Sequence, residues 1–413
     1  MIKLNNDYKN IYNKIKNLEE HFLDCKKPLD SEAYVKMYET LLMIYMGLDK
    51  EYSPNPKLYK NKFVHFSSVD KDNSIQKKSM EELINNKDRH SKLILDFIDD
   101  INEIINEYLI LYNDELDSKG LSYISPKEQE EILEAYFNSE GMELKDLFVE
   151  CQRNGSIYKM PDSFLNMIMS IGATIYNPLG NEKLVFLAET ENKIGEISTI
   201  VHEFGHVLDL STYSSTHSNS MTSLYFQTSP YIEVNSTYQE YKFYEYLLKN
   251  NIYKDDTKAF LADSVVSYLE NLSVLAPVGF IDSKLLRKHK GVLSRKEITD
   301  SVRQETGVSL DMSLCDNFID IKSALEYSYG MMIAFSMLDD KTLYDKFQMI
   351  RDPYFDKGKL DSIGLDDDKI SKVMVKKNFS KERKQHGKLK LKNKNNYRYS
   401  HSYCYCCNWV ILL

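Results

Sequence analysis

His202 and His206 stand four residues apart, with Glu203 directly after the first histidine. On a helix, positions i and i+4 share one face, so both imidazoles reach a single metal ion. Glu203 projects from the adjoining edge of that face, where it can touch a water at the metal without taking a ligand position. The constraint on the fold is strong. The helix must be buried along one side, open along the other, and met by a further ligand from elsewhere in the chain. Ile197, Ile200, Val201, Phe204, Val207 and Leu208 supply the apolar side, on a helix expected to begin near Glu196.

A catalytic zinc site takes three protein ligands and leaves a fourth position for water or substrate. The spacing in which a glycine and then a histidine or aspartate follow the helix fails here, because those positions hold Asp209 and Thr212. His217 falls within Ser211 to Ser223, a run of small polar residues expected to form a mobile loop beside the cleft, and reads as a surface residue. Glu233 is the better third ligand. It lies seven residues, about two helical turns, before Glu240, so both carboxylates project from nearly the same face. Glu240 is then placed to accept a hydrogen bond from a ligating imidazole and fix its tautomer.

The rest of the chain is mainly helical in pattern. Ser91 to Leu109 carries apolar residues at helical spacing, and Ser125-Pro126-Lys127-Glu128 is a helix start, a capping serine followed by proline at the first helical position. Between Ile171 and Ala188 the period shortens. Ala173–Tyr176 and Leu184–Ala188 read as two strands around the turn Asn177-Pro178-Leu179-Gly180-Asn181. Such an edge next to the metal helix can accept substrate backbone as an added strand. Helical periodicity resumes at Ile232 and continues to about Val375.

These residues resemble the thimet oligopeptidase and oligoendopeptidase F family of zinc peptidases. That family pairs a His-Glu-x-Gly-His helix with Glu-x-x-Ser-x-x-x-Glu on a later one. The corresponding residues here are His202–His206 and Glu233–Glu240, with 27 residues separating His206 from Glu233. Glu326-Tyr327-Ser328-Tyr329-Gly330 is similar to the family's Tyr-x-Tyr segment, and the likeness covers approximately residues 90–376. It implies a mainly α zincin of the gluzincin type, with a small β-sheet beside the zinc helix and two lobes flanking a substrate channel. It also implies one Zn2+ per chain and short unstructured peptides as substrates. His202, His206 and Glu233 would ligate the zinc, and Glu203 would serve as general base. Tyr329, or failing that Tyr327, would donate to the oxyanion.

Three departures accompany the likeness. Asp209 stands where family members often carry histidine. Leu310 to Leu325 contains no His, Gly or Tyr, although the family tends to have a Gly/His segment there. The N-terminal region is also shorter than usual. A catalytically silent, zinc- and peptide-binding homologue is the competing reading. A further one comes from His202–Asp209, which is similar to the zinc helix of lethal-factor-type toxin proteases acting on a folded protein, although those place the third glutamate farther downstream.

Charge and composition narrow the partners. Residues 376–398 hold ten Lys or Arg against Glu382, so the preceding residues carry −18 of a net −9. An acidic body of that kind disfavours nucleic acid. No apolar run reaches transmembrane length, the start lacks a signal-peptide core, and Cys25, Cys151 and Cys315 are scattered, as in a reduced cytoplasmic protein with no membrane partner. The expected organisation is a helical N-terminal region over 1–150 forming a cleft wall, a catalytic domain over 151–376, and a basic tail over 377–413, disordered or out of frame.

Overall fold

A computed structural model describes residues 4–11, 13, 14, 17, 122–160, 171–177, 180–188, 193–229, 231–261, 300, 304, 330, 333–351, 357–366 and 369. The expected helix over 91–109, the segment 310–325, Tyr327, Tyr329 and the tail from Lys377 lie outside these residues. The described residues fall into two compact units. The first takes in those within Met1–Glu82, Leu121–Tyr253 and Arg351–Phe355; the second takes in those within Leu83–Gly120, Lys254–Ile350 and Asp356–Leu413. Helix dominates, beside one three-stranded sheet. No helix among the described residues is long and apolar enough to cross a membrane.

In the first unit, helix α1 (Pro126–Glu140) starts as its sequence directs, with Ser125 Oγ accepting from the Glu128 amide at 3.3 Å. Helix α2 (Met142–Asn154) stops at Gly155, whose left-handed φ of 65° lets its amide close on the carbonyls of Cys151 and Gln152. The chain then enters β1 (Ile157–Lys159), a strand too short to show periodicity in the sequence. β2 (Gly172–Asn177) and β3 (Glu182–Leu187) form the expected antiparallel pair, with Thr174 opposite Val185. β1 joins β3 in parallel, giving the order β1-β3-β2. Asn5 bridges to the outer side of β1 through its amide and carbonyl.

Helix α3 (Ile194–Ser214) carries the two histidines. Its first turn is held by Glu196, whose carboxylate accepts from the Lys193 amide at 2.7 Å. The expected apolar face is buried except at Leu208, which is half-buried, and Ile194, Leu210 and Tyr213 extend it. Phe204 meets Phe137 and Phe148 of α1 and α2 at ring-centroid distances of 5.7 and 5.1 Å. Each such ring, fully buried, contributes about 1.5–3 kcal/mol.

The polar run from Ser211 to Ser223 is not the loop its composition implied. α3 continues to Ser214, and α4 (Asn219–Thr228) begins after Ser218, which caps the Met221 amide. Tertiary packing overcomes the low helix propensity of this run, with Tyr213 stacked on Tyr225 at 4.2 Å, while hydroxyls of Thr212, Ser214, Ser215 and Thr216 donate back to carbonyls three or four residues earlier. Helix α5 (Ile232–Lys249) then crosses α3, and every residue from Glu233 to Gln239 is buried. Tyr136 of α1 fixes it from the far side by donating to the Gln239 carbonyl at 2.9 Å.

The second unit holds α6 (Lys341–Ile350), which buries Leu343, Tyr344 and Phe347 on one face, and α7 (Lys357–Ile363). Asp340 caps α6 by accepting from the Leu343 amide at 3.0 Å.

α3 and α5 approach so closely because residue 205 is glycine. A Cβ there would lie 2.5 Å from Ser236 Cα and 2.9 Å from the Asn235 carbonyl oxygen, and neither backbone atom can swing aside. Gly205→Ala is therefore expected to cost about 1–3 kcal/mol through overpacking. It should appear as a lower urea midpoint at an unchanged denaturant slope.

Candidate metal centre

The turn spacing of α3 turns His202 and His206 toward α5, and the first turn of α5 brings Glu233 between them. Glu233 Oε2 lies 3.4 Å from His202 Nε2 and 3.6 Å from His206 Nε2. The three ligand atoms all fall within 4.8 Å of one another. Tetrahedral bonds of about 2.1 Å separate neighbouring ligands by about 3.4 Å, so the donor set fits a small divalent ion. Glu233 is itself oriented by Ser236, whose hydroxyl lies 3.1 Å from its Oε2.

Glu240, two turns on, reaches the other ring nitrogen of His202. Its Oε2 accepts from Nδ1 at 3.2 Å, leaving the Nε2 lone pair for the metal side. Tyr244 lies one turn beyond, with its hydroxyl 3.0 Å from Ser198 and 3.4 Å from Glu240. His206 Nδ1 is buried without a hydrogen-bond partner among the described residues.

Glu203 does not join the ligand group. Its carboxylate folds against β2, where Thr174 Oγ1 donates to Oε2 at 2.7 Å. Gly172, on the same face of the strand, makes room for the other oxygen; a Cβ there would lie 2.6 Å from Glu203 Oε1. The metal helix and the hairpin are therefore one device, with the strand seating the carboxylate that the helix presents.

Electrostatics agree with a cation site. Burial pushes Glu203 up to about 7, against the opposing pull of His202 and the Thr174 hydroxyl. Burial also disfavours a charged His202, but Glu233 and Glu240 outweigh it and drive this imidazole well above its ordinary value. His206 is pushed down to about 4, chiefly by burial. Burial opposes a charge on Glu233 as well, yet the two histidines and Ser236 hold that carboxylate well below its usual range. The carboxylates packed around the two imidazoles favour a positive charge at this point, which a divalent ion held by His202, His206 and Glu233 would supply.

Asp209, one turn after His206, is fully buried in a separate polar cluster. Its carboxylate accepts from Asn235 Nδ2 at 2.6 Å and from the Tyr225 hydroxyl at 2.8 Å, and it pairs with the Arg351 guanidinium. Burial lowers Arg351 to about 10, so it stays charged at neutral pH. His217 is a surface residue, as expected, stacked on Tyr213 at 4.0 Å and not a member of the ligand group.

Sequence reading named His202, Glu203, His206, Glu233 and Glu240, and the structure brings all five together. Thr174, Gly172, Asn235 and Arg351 carry no role in the sequence patterns, and Ser236 enters only as the serine of the Glu-x-x-Ser-x-x-x-Glu motif. Thr174 and Gly172 had a signal, since positions 172 and 174 share one face of the strand beside the metal helix. Arg351 had none, being 142 residues from Asp209.

No protein-family model and no curated protein sequence matches this chain. Among solved structures, it is similar to a candidate oligoendopeptidase F from Bacillus anthracis str. Ames, with a TM-score of 0.50 and 11% identity, over 82% of this chain and 61% of that one. A candidate peptidase from Chlamydophila abortus matches with a TM-score of 0.49 and 14% identity, over 85% and 62% of the two chains. PZ peptidase A, solved with an inhibitor, matches at 0.45 and 10%, over 82% and 64%. This chain thus spans less than two thirds of the length of each. The Bacillus anthracis match shows that it has the helical fold of that oligoendopeptidase-type protein.

Chelator-treated protein is expected to bind one equivalent of Zn2+ in a calorimetric titration. Its melting transition should rise, by about 2.7 kcal/mol of stability at a free metal concentration a hundredfold above Kd. His202→Ala and Glu233→Ala should each abolish both responses.

Proposed function

We propose that the protein is a zinc-dependent endopeptidase acting on short unstructured peptides. The observation that carries this reading is the convergence of His202, His206 and Glu233 on one point beside a separately held Glu203. That division of labour, three ligands and one base, is what hydrolysis of a peptide bond needs. The shared fold with an oligoendopeptidase F supports peptides as the substrate class.

His202 and His206, through Nε2, and Glu233, through its carboxylate, would hold the zinc. When bound, zinc supplies Lewis acidity, polarising a carbonyl and acidifying water. Glu203 moves the proton. Thr174 occupies Oε2, which leaves Oε1 to take the proton from the attacking water and return it to the leaving nitrogen. Burial raises this carboxyl above the ordinary carboxylate range, the direction that suits a group which both takes and returns a proton near neutral pH. Glu240 holds the His202 ring in the tautomer that offers Nε2 outward. Tyr329, or else Tyr327, is the proposed donor to the oxyanion, on the strength of the Tyr-x-Tyr resemblance.

Glu203→Gln is expected to keep stoichiometric zinc and lose at least about a hundredfold in turnover, whereas Glu233→Ala loses zinc and turnover together. Elemental analysis paired with digestion of a diverse peptide library checks both. Full zinc with peptide binding but no cleavage by the wild type would identify a silent homologue, the reading favoured by the absence of His and Gly from residues 310–325. In an active enzyme, Thr174→Val should lower kcat by about tenfold or more with zinc content unchanged. Thr174→Ser, which keeps the donor, should recover most of the loss.

A further inference from the structure

Asp209 and Asn235 each sit within one turn of a metal ligand, on different helices. Asp209 is three residues after His206 on α3, and Asn235 is two residues after Glu233 on α5. Their side chains meet at 2.6 Å, one turn along α3 from the point where Gly205 touches the backbone of Ser236. In the other direction, His202 meets Glu240. The helices are therefore registered by three successive contacts, and the Asp209–Asn235 bond lies on the opposite side of the ligand atoms from Glu240.

The cluster around Asp209 is built for direction rather than cohesion. A buried ion pair gives little net stability over an apolar pair of the same volume, because both charges must leave water. What the charges supply here is fixed geometry. Arg351 grips Asp209 twice, pairing with its carboxylate and donating from Nη1 to its main-chain carbonyl at 3.2 Å. Tyr225 occupies the remaining carboxylate oxygen from α4. Held by Arg351 and Tyr225 from two separate segments, the carboxylate has one orientation, and Asn235 must come to it.

We propose that Asp209, oriented by Arg351, is a positioning residue that acts through Asn235 to hold Glu233 at bonding distance from the two histidines. The inference rests on reading His202, His206 and Glu233 as a metal centre, but it does not require catalysis. Asp209 and Arg351 touch no ligand atom; their effect passes along the first turn of α5.

The test uses Co2+ as the probe on the full chain, with affinity measured by competition against a chromophoric chelator and geometry by visible absorption. Asn235→Ala should weaken Co2+ binding about 10- to 100-fold, the range seen when groups supporting a metal ligand are removed, and should shift the cobalt bands. Asn235→Leu, which fills the same space without a donor, should do the same and separates the lost bond from a cavity. Tyr176→Phe removes a buried hydroxyl that serves Asn181 and Asn219, away from the α3–α5 contact, and should leave affinity and spectrum unchanged. The proposal is overturned if Asn235→Leu binds Co2+ within twofold of wild type with the same spectrum. Failure of the wild type itself to bind Co2+ would overturn the metal-centre reading, a distinct outcome.

Discussion

α3 and α5 meet backbone to backbone at Gly205, and the rest of the candidate metal centre depends on that contact. Helices packed through ordinary side chains keep their axes about 8–10 Å apart. Removing a side chain lets Glu233, a residue with a short reach from the first turn of its helix, sit between Nε2 atoms presented by the other. The aromatic cluster of Phe137, Phe148 and Phe204 presses α3 from behind, so the close approach is enforced from both sides. Packing here sets distances on the scale of coordination bonds.

That closeness also concentrates charge. Glu203, Glu233 and Glu240 are drawn into a region with little water, where an unpaired carboxylate is costly. Each is met differently. Glu240 faces an imidazole, Glu233 faces two imidazoles and a hydroxyl, and Glu203 has the Thr174 hydroxyl and the shelter of Gly172. The three therefore differ in availability. Glu233 is held in its charged form, whereas burial leaves Glu203 poised between its two protonation states near neutral pH. Residues of one chemical type acquire different roles from their surroundings.

Much of this was legible in the sequence because it is periodic. The i, i+4 spacing of His202 and His206 and the seven-residue spacing of Glu233 and Glu240 follow from helix geometry, and the β2–β3 pair follows from alternation around a turn. Composition misled at Ser211–Ser223, where stacking of Tyr213 on Tyr225 holds the end of α3 and the start of α4 helical in a run rich in serine and threonine. The three-residue strand β1 left no periodic trace, and the partnership of Asp209 with Arg351 is set by tertiary folding alone. Local pattern records what a helix or strand presents, and is silent on what arrives from far along the chain.

The first unit is assembled from separate stretches of sequence, and this bears on the order in which it forms. Asn5 and Lys14 bond across 150 and 168 residues to Gly155 and Glu182, while Arg351 reaches back 142 residues to Asp209. Loops of that length close slowly, because their entropy is lost before any contact repays it. During synthesis, α3 and α5 are complete about a hundred residues before Arg351 exists. Until it emerges, the Asp209 carboxylate lacks the guanidinium that pairs with it in the folded chain. The polar cluster that joins α3 to α5 is therefore completed only once residue 351 has been made, although the three residues of the candidate metal centre are made early.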